Sequence, residues 1–273
     1  MALVAITREM GSLGKDVAQG LSEALKVPLV YHEVIDNLAD RMRVRKSHVI
    51  RLLDGSAGLL ERLSADKTSM AIFTADEIVN MALNGGAVIR GWGATHLLRD
   101  VPHAVCVRVC APFEVRKQRM MERTKSSDAD QVADEIQKND EAHTAIMRRN
   151  FQVQWTDSDH YDLVLNTERV SVQDCVDQVM RLVRSPAFAE TEQSRQRLHD
   201  IALAWHVRAA LRMAPTTRGL RVMVSAENGR VTLSGLLDNA DERAAVSEVA
   251  AQAGARDIND QMRSTDAVRP RFS

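Results

Sequence analysis

The sequence predicts an α/β protein, a parallel sheet flanked by helices, followed by a smaller module of order α-β-β-α-β. Three observations predict it. Apolar runs at Leu3–Ile6, Ala87–Arg90, Ala104–Cys110 and Tyr161–Asn166 alternate with segments of helical periodicity, the pattern of strands covered on both faces by crossover helices. The first run leads through a glycine-bearing loop into a helix, the order of a phosphate-binding loop. Beyond Arg197 the grammar changes to one amphipathic helix and two alternating strands joined by Asn228-Gly229, a strong hairpin turn.

The loop reads Arg8-Glu9-Met10-Gly11-Ser12-Leu13-Gly14-Lys15-Asp16. Glycines let backbone N–H groups turn towards an anion, and the helix N-terminus adds a partial positive charge. The strict pattern G-x-x-x-x-G-K-[ST] is not met. With Gly14-Lys15 as the G-K pair, Glu9 takes the first glycine position and Asp16 the position of the magnesium-binding hydroxyl. A carboxylate about 4 Å from a phosphate oxygen is repelled by roughly 4 kcal/mol at an effective dielectric near 20. Asp16 therefore points away, or helps to hold Mg²⁺, or leaves a loop that binds phosphate weakly. A plain βα turn is the competing reading.

Val17, Leu21 and Leu25 then recur at helical spacing, and Val27–Tyr31 reads as a second strand. Glu33 to Asn84 is mostly helical, with a basic first part at Arg41, Arg43, Arg45, Lys46 and Arg51; this is a solvated face or an insertion closing over an acceptor. Gly85-Gly86 ends it, and Gly91-Trp92-Gly93-Ala94 turns the third strand into the next helix. Helices follow at Glu114–Lys125, Asp130–Gln152 and Val172–Val183. Ligands of such sheets bind beyond the carboxyl ends of the strands, which groups Arg8–Lys15, Arg90–Gly93 and Cys110–Glu114 on one rim. The expected division is a first domain over 1–184, a polar linker over 185–197, a module over 198–266 and a frayed tail over 267–273. In the module, Gly229 is expected to serve a positive φ and Gly235 close packing. Trp155 and Trp205 are expected to be packing residues.

Among 273 residues the formal net charge is −1 and aromatics are 4%. Neither suits a general nucleic-acid binder, so no nucleic-acid partner is expected. Cys106 and Cys110 share a strand, where four residues span about 13 Å, too far for a disulfide. No C-x-x-C or H-E-x-x-H spacing points to zinc. The chain is expected to lack a signal peptide and a transmembrane segment, and to reside in the cytoplasm.

Four segments together carry a resemblance: Ile6–Gly14, Ala87–Ala94, Leu97–Asp100 with Val107–Pro112, and His160–Thr167. In their order and spacing, residues 2–184 resemble the cytidylate-kinase-like family of P-loop proteins. Val222, Val224, Glu227–Gly235, Ala240 and Glu242-Arg243 resemble a BON domain. The first resemblance implies a P-loop kinase-like fold, binding of ATP with Mg²⁺, and phosphoryl transfer to CMP or another nucleoside monophosphate. The second implies a module that binds a lipid, metabolite or protein partner. By resemblance, the amides of Gly11, Ser12, Leu13 and Gly14, with Lys15 and Asp16, hold phosphates and metal. Arg116, Arg119, Arg123 and Arg148 then belong to the lid that stabilises the transferring phosphoryl. Arg116, Arg119 and Arg123 share one helix face at i, i+3, i+7, which equally describes a solvent-exposed basic surface.

Three departures weaken catalysis. Leu13 replaces a glycine of the family form G-S-G-G, His32 stands where relatives often carry aspartate, and Trp92 replaces the arginine of Gly-Arg-Gly. Arg90 lies one position before Gly91 and is expected to point to the opposite face of the strand. In the family register Gly14 takes the slot of the phosphate-loop lysine, and Lys15 follows one residue later. Three readings stay open, a nucleoside-monophosphate-kinase-like enzyme, a non-catalytic sensor of a nucleotide or phosphate ligand, and a structural interaction protein with a vestigial loop.

Overall fold

The computed structural model describes residues 2–53, 66–91 and 93–264. Strand β1 (Leu3–Arg8) is the middle of a five-stranded parallel sheet, ordered β2-β3-β1-β4-β5. Here β2 is Leu29–Val30, β3 Ala87–Arg90, β4 Ala104–Cys110 and β5 Leu163–Asn166. Leu3, Val4, Ala5 and Ile6 are all fully buried. That follows from having helices on both sides, which favours an unbroken apolar run over alternation.

One face of the sheet packs on α1 (Gly14–Leu25) and α8 (Val172–Val183) through Val17, Leu21, Val176 and Val179. Ser171 caps α8, its hydroxyl accepting from the Asp174 N–H. The other face packs on α2 (His32–Met42), α3 (Lys46–Leu53), α4 (Lys67–Leu83) and α5 (Ala94–Leu97). Beyond the carboxyl end of β4 lie α6 (Phe113–Thr124) and α7 (Ala129–Phe151), joined by Met120, Val132 and Ile136. Arg41 is not part of a solvated basic face. Its guanidinium reaches Asp76 at 2.6 Å and Glu77 at 3.1 Å, bracing α2 on α4.

Helix α9 (Glu192–Met213) was expected from about Arg197 and begins five residues earlier. Thr191 and Ser194 form a reciprocal capping box, so the polar run that reads as linker is a helix start. Both sides of α9 are buried. Leu198, Ala202 and Ala209 join the core that contains Ala75, Ile78 and Val79 of α4. Ala204, Val207 and Leu211 join the core of the C-terminal module.

That module holds β6 (Val222–Glu227), β7 (Arg230–Leu237), α10 (Ala240–Gln252) and β8 (Asp257–Ser264). β6 pairs antiparallel with β7, and β7 parallel with β8. Asn228 (φ 51°) and Gly229 (φ 79°) make the hairpin turn. The buried Asp200 carboxylate of α9 accepts both of their N–H groups at 2.8 Å. A Cβ on Gly235 would lie 2.6 Å from the Arg221 carbonyl oxygen, so glycine is needed there for close packing. Trp92, the side chain of His32 and the tail at 267–273 lie outside the described residues. Among the described residues, no helix is long and apolar enough to cross a membrane.

Candidate nucleotide and acceptor site

The loop leaves β1 at Glu9 and enters α1 at Gly14. Gly11 (φ 81°) and Leu13 (φ 60°) are both left-handed. Leu13 thus adopts the backbone that a glycine would favour, at a cost of about 1–2 kcal/mol. A Cβ on Gly11 would lie 2.7 Å from the Arg116 carbonyl oxygen, and one on Gly14 2.6 Å from Arg8 Cβ. Both glycines are therefore packing requirements as well as hinges of the loop. The Ser12 hydroxyl is buried and donates to the Val109 carbonyl at 3.1 Å, so it faces β4 and not the loop mouth. Lys15 and Asp16 are exposed on the first turn of α1. The first N–H groups of a helix lack intrahelical acceptors and carry its positive end.

A partly buried ion network, centred on the buried Arg116, holds the loop. Glu9 accepts from Arg108 at 2.6 Å and lies 3.5 Å from Arg116. Arg116 reaches Asp140 of α7 at 3.0 Å and donates to the Ala111 carbonyl at 3.1 Å. Arg119 donates to the Thr167 hydroxyl at 3.0 Å and to its carbonyl at 2.7 Å. The Thr167 hydroxyl in turn donates to the Ser12 carbonyl at 2.8 Å. Burial pushes the Asp140 carboxyl up, against the pull of Arg116.

Beside the loop, a cavity of about 270 Å³ opens between the ends of β1 and β3, α4 and α7. Thr7, Arg8, Arg90 and Gly91 form its sheet side. Lys67, Met70, Ala71, Thr74 and Ala75 line it from one face of α4, at i, i+3, i+4, i+7, i+8. Asn139, Ala142, His143, Ile146, Arg149 and Asn150 line it from α7. Phe151 closes it by lying on Gly93, where a Cβ would be 2.4 Å from its ring. His143 lies 3.5 Å from the Thr7 hydroxyl and packs on Trp155 with ring centroids 4.2 Å apart. Burial, then the charge of Arg8, pushes the His143 imidazole down to about 4, so it is neutral near pH 7. Arg8, Lys67, Arg90 and Arg149 make the cavity cationic.

A family model described as the cytidylate kinase-like family matches residues 3–169. The chain belongs to the cytidylate kinase-like family. A BON domain model matches residues 191–266, which include α9 from its cap. An uncharacterized protein from Eubacterium ventriosum is similar in fold, at 23% identity over 68% of this chain and 99% of that one, with a TM-score of 0.54. Shikimate kinase from Bacteroides thetaiotaomicron aligns over 67% of this chain and 99% of its own, at 15% identity and a TM-score of 0.39. No curated protein matches the chain.

In this cytidylate kinase-like chain, Gly11, Ser12, Leu13, Gly14, Lys15 and Asp16 come together at one helix start. Arg116 and Arg119 lie against that loop, but as its braces, engaged by protein acceptors. Arg123 is exposed on the far turn of α6 and touches Met120 Sδ at 2.8 Å. Arg148 is exposed on α7 and lies outside the cavity, whereas its neighbour Arg149 lines it. The three arginines of α6 thus share a face without sharing an environment. Among the described residues, no cluster of three or more metal-ligating side chains occurs. Sequence reasoning missed Thr7, Tyr31, Lys67, Asn139 and His143 as cavity residues. A signal existed in α7, where Asn139, Ala142, His143, Ile146 and Asn150 recur at helical spacing opposite its charged side.

The expectation that Arg90 faces away is corrected. Arg90, the last residue of β3 and the partner of Ile6 in β1, lines the cavity.

Proposed function

We propose that the chain binds ATP at the Gly11–Asp16 loop and transfers its terminal phosphoryl group to a small anionic acceptor, such as CMP, in the adjoining cavity. The carrying observation is that a glycine loop at a helix start and a cationic cavity share Thr7 and Arg8 as their common edge. The loop suits a phosphate chain, because Leu13 already holds the left-handed backbone of the family's glycine. The amides of Gly11 to Gly14 and the Lys15 ammonium would hold the phosphates. Asp16, exposed on the same turn, would hold Mg²⁺, since the Ser12 hydroxyl is turned inward. Bound Mg²⁺ supplies charge neutralisation, the chief requirement of phosphoryl transfer. Arg116, Arg119, Arg123 and Arg148 are assigned to steady the transferring group. For Arg116 and Arg119 that action passes through the loop they brace.

The internal engagement of Arg116 and Arg119 favours a second reading, a nucleotide sensor without transfer. In both readings residues 1–184 bind nucleotide, and the module at 198–266 binds a lipid, metabolite or protein. The open face of its sheet exposes Met223 and Leu236.

A thermal-shift assay with Mg-ATP on the wild type and on Lys15→Ala tests the first step. Ligand at 100 times its dissociation constant stabilises by about 2.7 kcal/mol, or roughly 5–10 °C here. No shift at millimolar Mg-ATP sinks both readings. A Lys15-dependent shift without transfer to CMP, dCMP, UMP or AMP leaves the sensor. Co-sedimentation of the full chain with anionic and neutral vesicles tests the lipid option.

A further inference from the structure

We propose that Arg90, whose guanidinium lies over the Tyr31 ring, anchors the oxyanion group of the molecule that enters the cavity between α4 and α7. This inference rests on reading that cavity as the acceptor site. The strand register builds the pair. Val30 of β2 stands beside Ile89 of β3, so Tyr31 and Arg90 follow as neighbours where both strands end. The Arg90 guanidinium carbon sits 3.8 Å from the centre of the Tyr31 ring, well inside the range of a cation–π contact. Arg90 is 6% exposed, and both residues line the cavity.

A guanidinium lying over a ring has one face covered by it and keeps its N–H donors in its own plane. That is the geometry that meets a carboxylate or phosphate through two parallel hydrogen bonds. The stack also fixes the side chain before the ligand arrives, so less rotamer freedom is lost on binding. Lys67 and Arg149 line the same cavity from α4 and α7, adding positive potential but no ring to hold them. Trp92 occupies the family's arginine position two residues on. Arg90 reaches the rim from a different position and supplies the planar group.

The test is calorimetric titration of the full chain with CMP, cytidine, inorganic phosphate and malate, on the wild type, Arg90→Met, Arg90→Lys and Tyr31→Leu. Thermal melts establish that each variant is folded. Arg90→Met is expected to weaken the oxyanion probes at least about tenfold, the scale of a charged hydrogen bond, with cytidine unchanged. Arg90→Lys keeps the charge without the planar fork and should fall between. Tyr31→Leu should weaken the same probes while Arg90 is intact. An effect on CMP and phosphate alone identifies a phosphate monoester, and one on malate alone a carboxylate. The proposal is overturned if no probe's affinity depends on Arg90, including the case where none of them binds the wild type. It is overturned too if cytidine weakens as much as CMP, since that marks a collapsed cavity. If oxyanions bind through Arg90 while Mg-ATP gives no Lys15-dependent shift, the anchor stands and the kinase reading falls.

Discussion

His206 Nδ1 of α9 lies 3.4 Å from Asp76 Oδ1 of α4, tying the C-terminal module to the helix that walls the cavity. The hydrogen bond to Asp76 raises the His206 pKa above its usual 6.5, outweighing burial. Burial pushes Asp76 up, but hydrogen bonds from His206 and Arg41 outweigh it and hold the carboxyl below 3.8. A raised histidine contributes stability that is full below its unfolded pKa and lost as pH rises through the folded one. A depressed carboxyl contributes stability present above its unfolded pKa and lost on acidification. The pair therefore works between about pH 4 and the raised value of His206. Melting of His206→Gln against wild type should show a deficit near pH 5.5–6 that vanishes by pH 8.5–9. His206 is well exposed, so the deficit should be at most about 1 kcal/mol. An equal deficit at both ends of that range would refute the assignment.

Leu13 is the simplest place to gain stability. Leu13→Gly removes the left-handed penalty at φ 60°, offset in part by the greater freedom of glycine in the unfolded chain. Urea unfolding should show no loss, and up to about 1 kcal/mol of gain. Mg-ATP should shift the variant at least as far as the wild type. A loss above 1 kcal/mol would mean that the Leu13 side chain has packing value beyond its backbone strain.

Arg116→Met should be among the most damaging single changes. It leaves Glu9 with Arg108 and the Ala111 N–H, and Asp140 without its guanidinium, both inside the loop's support. Breaking a buried pair costs about 3–5 kcal/mol. Arg123→Ala, on the exposed end of the same helix, should stay within about 0.5 kcal/mol. Denaturant midpoints compare the two directly. Equal effects would contradict the separate environments of the α6 arginines.

Leu198→Ala addresses the double burial of α9. Leu198 is 1% exposed and packs in the sheet domain's core, so its truncation should cost about 2–5 kcal/mol. Calorimetry should show one transition, lowered as a whole. Two transitions with only one of them moved would show that the module unfolds independently.

Much of the sheet domain was legible because its central strands are unbroken apolar runs and its helices carry apolar residues at helical spacing, as Val17 and Leu21 do in α1. In the C-terminal module, Asn228-Gly229 announces the hairpin between β6 and β7. Sequence reasoning failed where a residue's neighbours come from far along the chain. Thr191 and Ser194 are the local exception, a polar run whose reciprocal bonds make it a helix start. Arg116 reads as a surface arginine by helical spacing, yet it is buried by the loop and by Asp140, 24 positions later. The cavity was invisible because its walls, α4 and α7, are brought together by tertiary packing alone.

Gly11 has a consequence for how such loops persist through evolution. A Cβ there would collide with the Arg116 backbone, and one on Gly14 with Arg8. Selection for folding alone therefore retains both glycines, whether or not the chain still handles phosphate. A lineage that abandoned catalysis would keep this part of the signature intact, and the first positions to drift would be those that only the ligand touches. In this chain Lys15 and Asp16, exposed and outside the loop's internal support, are free of that folding constraint.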